Sequence, residues 1–397
     1  MLESVFPDKE LTKEQQKVFE RIETFIKDNL NGSKKAIFQL NGDAGTGKSI
    51  ILTKLFLAIE KRAKENKTNN YFLVNHPELL KVYQENAGEF SELRKNRFLR
   101  PTTFINQSHK KQTKADVVVI DEAHLLLSES VNYNNFTQKN QLEEIIKLSK
   151  VVILVFDEHQ VLKLKSYWSK NLVDQVIKKF QAKFEEATLM TQMRMQAPRK
   201  VVRWIDDLTD KLQLDQDLVS KKDYLTMSSN YDFRVYSNAE KMYQALKKKN
   251  SEVGESRIVA TADYPSTLDG KKHYVNEGQF HLPWDQYNYS KVTWAQKPET
   301  IDEIGSIYTV QGFDLQYVAV IIGPSVSLSK DSIVVDPDKY EDQEAFKKRH
   351  EDDLSDLHTA KKSIILNSIN VLLKRGVQGC FIYFHDRDIY DFLNNQR

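Results

Sequence analysis

Gly42, Gly47, Lys48 and Ser49 stand in the order Gly-x-x-x-x-Gly-Lys-Ser inside the stretch QLNGDAGTGKS, residues 39–49. Residues of these types at this spacing hold phosphate. Glycines let backbone amides converge on phosphate oxygens, Lys48 reaches the outer phosphates, and the Ser49 hydroxyl can ligate magnesium. The whole turn, with Ala44, Gly45 and Thr46, is expected to line a nucleotide. Taken alone the pattern is loose. Here an apolar run precedes it and IILTKLFLAIEK follows, so a strand enters the turn and a helix leaves it with its positive end toward the anion.

Two further segments carry acid chemistry. In VVVIDEAH, ending at His124, four strand-forming residues deliver Asp121 and Glu122 at a strand's carboxyl end, where ligands bind in open α/β sheets. Asp121 suits magnesium; Glu122, pointing elsewhere, suits the deprotonation of an attacking water. VVILVFDEHQ ends in the same way and offers Asp157 and Gln160, the glutamine a candidate to sense a terminal phosphate and hold the water in line. Together these segments predict magnesium-dependent hydrolysis of a nucleoside triphosphate. Arginines from a second domain can stabilise charge on the transferring phosphoryl group, worth about a thousandfold to a hundred-thousandfold in rate. Arg194, in LMTQMRM, and Arg375, in LLKRG, are the candidates.

The elements that must position these residues alternate. An amphipathic helix over residues 13–30 precedes a strand at 36–40. Apolar, β-branched runs follow at 71–74, 117–120 and 151–156, with helix-like stretches between them. Such continuous runs fit strands buried on both faces of a mostly parallel sheet. A second set begins near Thr188 and recurs at 257–260, 317–323 and 380–384. The expectation is an α/β fold of two tandem domains, residues 1–184 and 185–397, with a charged surface insertion at about 329–362. The segment 93–114 is strongly basic, with Phe98 and Phe104 interleaved.

Composition narrows the class. The chain has 397 residues, 40% hydrophobic and 29% charged, and 58 bases nearly cancel 56 acids to give a net charge of +2. This total says little about a polyanionic partner, so local distribution must carry that argument. The acidic N-terminus has no apolar export segment and no long apolar run follows, which suggests a cytoplasmic protein with no membrane partner. The one cysteine, Cys380, sits in an apolar run and reads as a buried hydrophobe. No cysteine/histidine metal-ligand spacing occurs.

The order of GDAGTGKS, VIDEAH, FDEHQ, TQMRM, SIYTVQGFDLQYVAVIIG and NVLLKRGVQG resembles superfamily 1 helicases, and within them the Schlafen-type helicase domain, known in bacteria mostly as a domain of unknown function. The resemblance spans Leu11 to Asp386. It implies two RecA-like P-loop domains around ATP and Mg2+, with single-stranded DNA or RNA crossing them. It places Gln15 against the adenine and gives Gln311, Gly312 and Asp314 to the motif linking nucleotide and nucleic acid. Expected nucleic-acid contacts are Asn75, His76, Thr102, Thr103, Phe104, Tyr167, Trp168 and Ser306. Trp168, polar-flanked in LKLKSYWSK, is the candidate stacking platform, and bases in 93–114 are candidates to track the backbone. Lys374 and Tyr308 depart from the threonine and histidine usual in the family. Only about forty residues separate the strands at 71 and 117, so accessory subdomains are reduced and translocation on one strand is better supported than unwinding. Two other readings stay open: an ATP-dependent switch controlling a partner effector protein, and a phosphotransferase.

Overall fold

The computed structural model describes residues 10–394 apart from 44, 130–135, 192–194, 217–224, 227–230, 266–270, 287–293, 311–313, 343 and 348–356. The chain divides between residues 193 and 194 into two compact units.

In the first unit the elements run α1 (Lys13–Leu30), β1 (Ala36–Gly42), α2 (Lys48–Asn66), β2 (Asn70–Val74), α3 (Pro77–Ala87), β3 (Phe98–Leu99), α4 (Pro101–Lys111), β4 (Ala115–Asp121), α5 (Gln141–Leu148), β5 (Ser149–Phe156), α6 (Lys170–Lys179) and β6 (Lys183–Leu189). The strands form one parallel sheet in the order β3-β2-β4-β5-β1-β6. Side-chain alternation explains the continuous apolar runs. Phe38, Val119 and Ile153 join one core with α1 and α2, while Ile37, Val118 and Val152 join a second core with α4, α5 and α6. Both faces of the sheet are covered, and each such buried side chain contributes about 1.5–3 kcal/mol. A capping box starts α1: the Gln15 amide N–H donates to Thr12 Oγ1 (3.3 Å), and the Thr12 amide N–H donates to Gln15 Oε1 (3.0 Å).

Strand β6 corrects the expected boundary. Its sequence, KFEEATL, is mostly exposed, yet Lys183 to Leu189 pair in parallel with Ala36 to Gly42. It is the polar edge strand of the first sheet, so this unit extends past residue 184.

The second unit contains α7 (Arg199–Lys211), β7 (Leu225–Thr226), β8 (Asp232–Tyr236), α8 (Ala239–Val253), β9 (Arg257–Ala260), β10 (His273–Glu277), β11 (Phe280–Trp284), α9 (Ile307–Val310), β12 (Leu315–Ile322), β13 (Val326–Ser329), β14 (Ser332–Val335), α10 (Leu357–Leu373), β15 (Gly376–Phe384) and α11 (Arg387–Leu393). Its main sheet has the order β7-β8-β15-β12-β9, parallel except for the antiparallel edge strand β7. Trp204 is fully buried on α7, edge-on to Phe233 at 5.3 Å, with Val201, Ile205 and Leu208 on the same face. The expected charged insertion at 329–362 contains regular structure. It opens with the β13–β14 hairpin, in which Ile333 and Val335 turn inward while Ser332 and Val334 face solvent. No described helix is long and apolar enough to cross a membrane.

Candidate phosphate and metal site

The turn after β1 begins with Gly42 at φ +152 and contains Gly45 and Gly47 at φ +85 and +82. At Gly42 a Cβ would stand 2.8 Å from Thr46 Oγ1 and 3.1 Å from the Leu189 carbonyl, so the turn closes only around a glycine. Thr46 Oγ1 donates to the Asp43 carbonyl (2.9 Å) and Gln15 Nε2 donates to the Thr46 carbonyl (3.1 Å). Helix α2 then starts at Lys48 with no acid in its first turn, which leaves its positive end available to an anion. Lys48 is buried, and its ammonium donates to the carbonyls of Gly42 and Asp43 (2.9 Å to the latter) and to Asp157 Oδ2 (3.2 Å).

Strand order brings the acids to this turn. β5 lies between β1 and β4, so Asp157, just beyond β5, separates the phosphate turn from Asp121 at the end of β4. Burial works against the charge of Asp157. The Lys48 ammonium and the Gln160 amide, which donates to Oδ2 at 2.7 Å, nevertheless hold its pKa below the ordinary value. Asp121 is fully buried, and burial together with the charge of Glu122 pushes its pKa up to about 6. Hydrogen bonds from Tyr83 Oη (2.6 Å) and Ser49 Oγ (3.5 Å) to its carboxylate oppose that rise.

A carboxylate destabilised as an anion, beside a serine hydroxyl, is a donor pair suited to a hard divalent cation. Mg2+ commonly takes only one or two protein ligands and completes its shell with water and phosphate. Among the described residues no group of three or more His, Cys, Asp or Glu is placed to hold a metal.

Glu122 takes a left-handed backbone, φ +52, uncommon outside glycine and costing of order 1–3 kcal/mol. Glu122 Oε2 lies 3.2 Å from His124 Nε2. His124 is buried, and burial pushes its pKa down to about 4, which favours the neutral ring. Tyr83 and His124 went unassigned in the sequence. The phenol reaches Asp121 across 38 residues, and only the adjacency of α3 to the sheet reveals it.

Other expected residues divide. Gln15 is buried, its oxygen capping α1 and its amide bracing the phosphate turn. Asn75 Nδ2 donates to the Leu125 carbonyl (2.5 Å), tying the end of β2 to the acidic turn, and His76 caps α3 through Nδ1. Thr102 Oγ1 accepts from Gln141 (2.9 Å), while Thr103 is half-buried. Trp168 is no exposed stacking platform: it is 4% exposed in the second core, with Nε1 donating to the Leu126 carbonyl (2.7 Å). Phe104 is likewise buried, against Tyr71. Ser306 is buried at the start of α9 and accepts from the Tyr308 amide (3.2 Å). The bases of 93–114 divide between the two ends of the strands, Arg100 following β3 while Lys95 and Lys114 precede β3 and β4.

In the second unit Arg375 is buried at the end of α10 and Asp314 is exposed before β12. Lys374, the departure from threonine, is buried and ion-paired to Asp206 of α7 at 2.7 Å, which fastens α10 to α7. Ala44, Arg194, Gln311 and Gly312 lie outside the described residues. A cavity of about 770 Å³ lies at the edge of the first sheet remote from the phosphate turn. Its charges, Glu20, Glu23, Asp116, Lys27, Arg62 and Lys67, cancel, so it competes poorly as a triphosphate site.

A parallel α/β unit with a glycine turn, a lysine and serine opening a helix, and an acidic pair two strands away has the arrangement of a phosphate-loop fold. The chain belongs to the Schlafen group 3, DNA/RNA helicase domain family, whose model matches residues 35–386. It is 37% identical over 414 residues to the uncharacterized protein YPL245W of Saccharomyces cerevisiae, a match covering 96% of this chain and 90% of the yeast protein. Among solved structures it is similar to the Aeropyrum pernix ORC1 protein in complex with DNA (TM-score 0.30, 15% identity, 53% of this chain and 59% of that one). Another is AMPPCP-bound DnaA from Aquifex aeolicus (TM-score 0.28, 14% identity, 54% and 58%). The chain spans less than two thirds of these two proteins, and the likeness is too partial to bear on the site.

Proposed function

We propose that this protein hydrolyses ATP with Mg2+ and couples the hydrolysis to binding of, and movement along, single-stranded DNA or RNA, as a superfamily 1 type motor built on two RecA-like units. The observation that carries the reading is the convergence of Lys48, Ser49, Asp121, Asp157 and Gln160 at the ends of three adjacent strands. The phosphate turn and the first turn of α2 hold the triphosphate, and Ser49 and Asp121 hold the metal, which would neutralise phosphate charge when bound. Glu122 takes the proton of the attacking water, and Gln160 aligns that water. Lys48 exchanges a present acceptor for a phosphate oxygen. Arg194 and Arg375 complete the reading as cations acting on the transferring phosphoryl group, and Gln311, Gly312 and Asp314 as the link to nucleic acid.

The test is ATP turnover measured with and without single-stranded oligonucleotide at two salt concentrations. Stimulation is expected, and one rate under all conditions would overturn the motor. Arg375→Lys separates the arginine's role: it keeps the charge but loses the planar fork, and turnover should fall while nucleotide binding persists.

A further inference from the structure

All strands of the first sheet are parallel, so their N-termini share the edge opposite the phosphate turn. A lysine stands at each start: Lys35 just before β1, Lys67 and Lys95 each three residues before β2 and β3, Lys114 just before β4, Lys150 second in β5, and Lys183 first in β6. Register makes these a row. Ala36 pairs with both Val151 and Lys183, which sets Lys35 beside Lys150, and Ala115 pairs with Ser149, which brings Lys114 alongside. None of the six forms an ion pair among the described residues. Lys35 and Lys150 donate only to backbone carbonyls, of Lys147, Ser149 and Gly32, and the other four are exposed. Burial, then the charges of Lys114 and Lys150, push the pKa of Lys35 down.

Helix dipoles do not account for the row. Lysines such as Lys111 and Lys147 lie in last helical turns and offset the negative helix ends, but these six precede strands, which carry little net dipole. Five inter-strand steps of about 4.8 Å make the row about 24 Å wide, roughly seven base pairs of duplex at about 3.4 Å each. Sites for single strands add stacking rings to their bases. Here the neighbouring rings are engaged inside the protein: Phe98 is fully buried, and Tyr71 packs against Arg97 and Phe104.

We propose that this lysine edge is a second nucleic-acid surface, one that takes the phosphodiester backbone of a duplex without reading its sequence. It does not depend on the ATPase reading, because it lies at the other edge of the sheet.

The test uses the full chain without nucleotide, and 20-base-pair DNA and RNA duplexes followed by fluorescence anisotropy across a salt series. The variant K95Q/K114Q/K183Q should bind more weakly, and its slope of log K against log salt should be shallower by about 2.7, at about 0.9 per lost phosphate contact. Each single variant should lower the slope by about 0.9, and the triple Lys→Arg variant should restore it. Basal ATP hydrolysis and the melting temperature report that the fold is intact. Wild-type protein that ignores duplex, or a triple variant with unchanged affinity and slope, would overturn the proposal. So would loss of poly-glutamate binding with duplex binding intact, which would mark a surface for acidic protein.

Discussion

Asp121 and Glu122 are neighbours in sequence but differ in their surroundings: Tyr83 and Ser49 donate to the Asp121 carboxylate, whereas Glu122 Oε2 lies 3.2 Å from the buried ring of His124. Their substitutions should therefore separate. Glu122→Gln keeps the backbone turn and the size of the side chain but cannot take a proton. Nucleotide binding should survive while turnover falls about 10²- to 10⁴-fold, measured by fluorescent-nucleotide titration and phosphate release. Lys48→Ala should lose both. Tyr83→Phe removes one donor from a buried carboxylate, so nucleotide binding should need more Mg2+ and melting should come earlier by about 1.5–3 kcal/mol of stability. A magnesium titration unchanged by Tyr83→Phe would show that the phenol only fills space. The glycine turn and acidic pair were legible because strand, turn and helix signals surround them in sequence. Tyr83 was not, since it reaches Asp121 across a tertiary contact that no local pattern records.

At the scale of elements, the two-faced sheet explains both what the sequence revealed and what it concealed. Runs such as VVILVF are apolar at every position because alternate residues enter different cores, and so they read plainly as buried strands. The edge strand β6 has only one strand neighbour and mostly exposed side chains, which erases that signal and shifted the expected boundary. Trp168 misled for a related reason: its polar neighbours describe the loop, whereas the ring is covered by the helices beside it. Trp168→Phe should accordingly lower the melting temperature, by loss of the indole bond to Leu126, and leave affinity for single strands unchanged. Glu60, near the end of α2, carries a prediction about pH. Its pKa is raised by burial above all, against the Asn70 amide and the charges of Arg97 and Arg94, which favour the anion. Ionising it costs more in the folded chain than in the unfolded one. Its contribution to stability is therefore full below about 4.5 and is lost as pH rises through its folded pKa. Glu60→Gln keeps an oxygen for Asn70, and should raise the melting temperature at pH 8 and leave it unchanged at pH 4.

For the whole molecule, each unit has a sheet and buried hydrophobic residues of its own, so the first is expected to fold alone if it is cut where its sheet ends. A fragment ending at residue 193 should melt cooperatively. One ending at 184 loses most of β6 and should melt earlier and aggregate through the uncovered edge of β1. Equal melting of the two fragments would mean that β6 contributes nothing to the unit. The placement of β5 between the strand of the glycine turn and the strand of the acidic pair has a mechanical consequence as well. Sliding one half of the pocket past the other would shear two ladders of backbone bonds at once, so the floor of the pocket behaves as a fixed bench. The chain that runs on from Asp157 toward α6 lies outside those ladders, so its amide hydrogens should exchange with solvent sooner than those of residues 151–156.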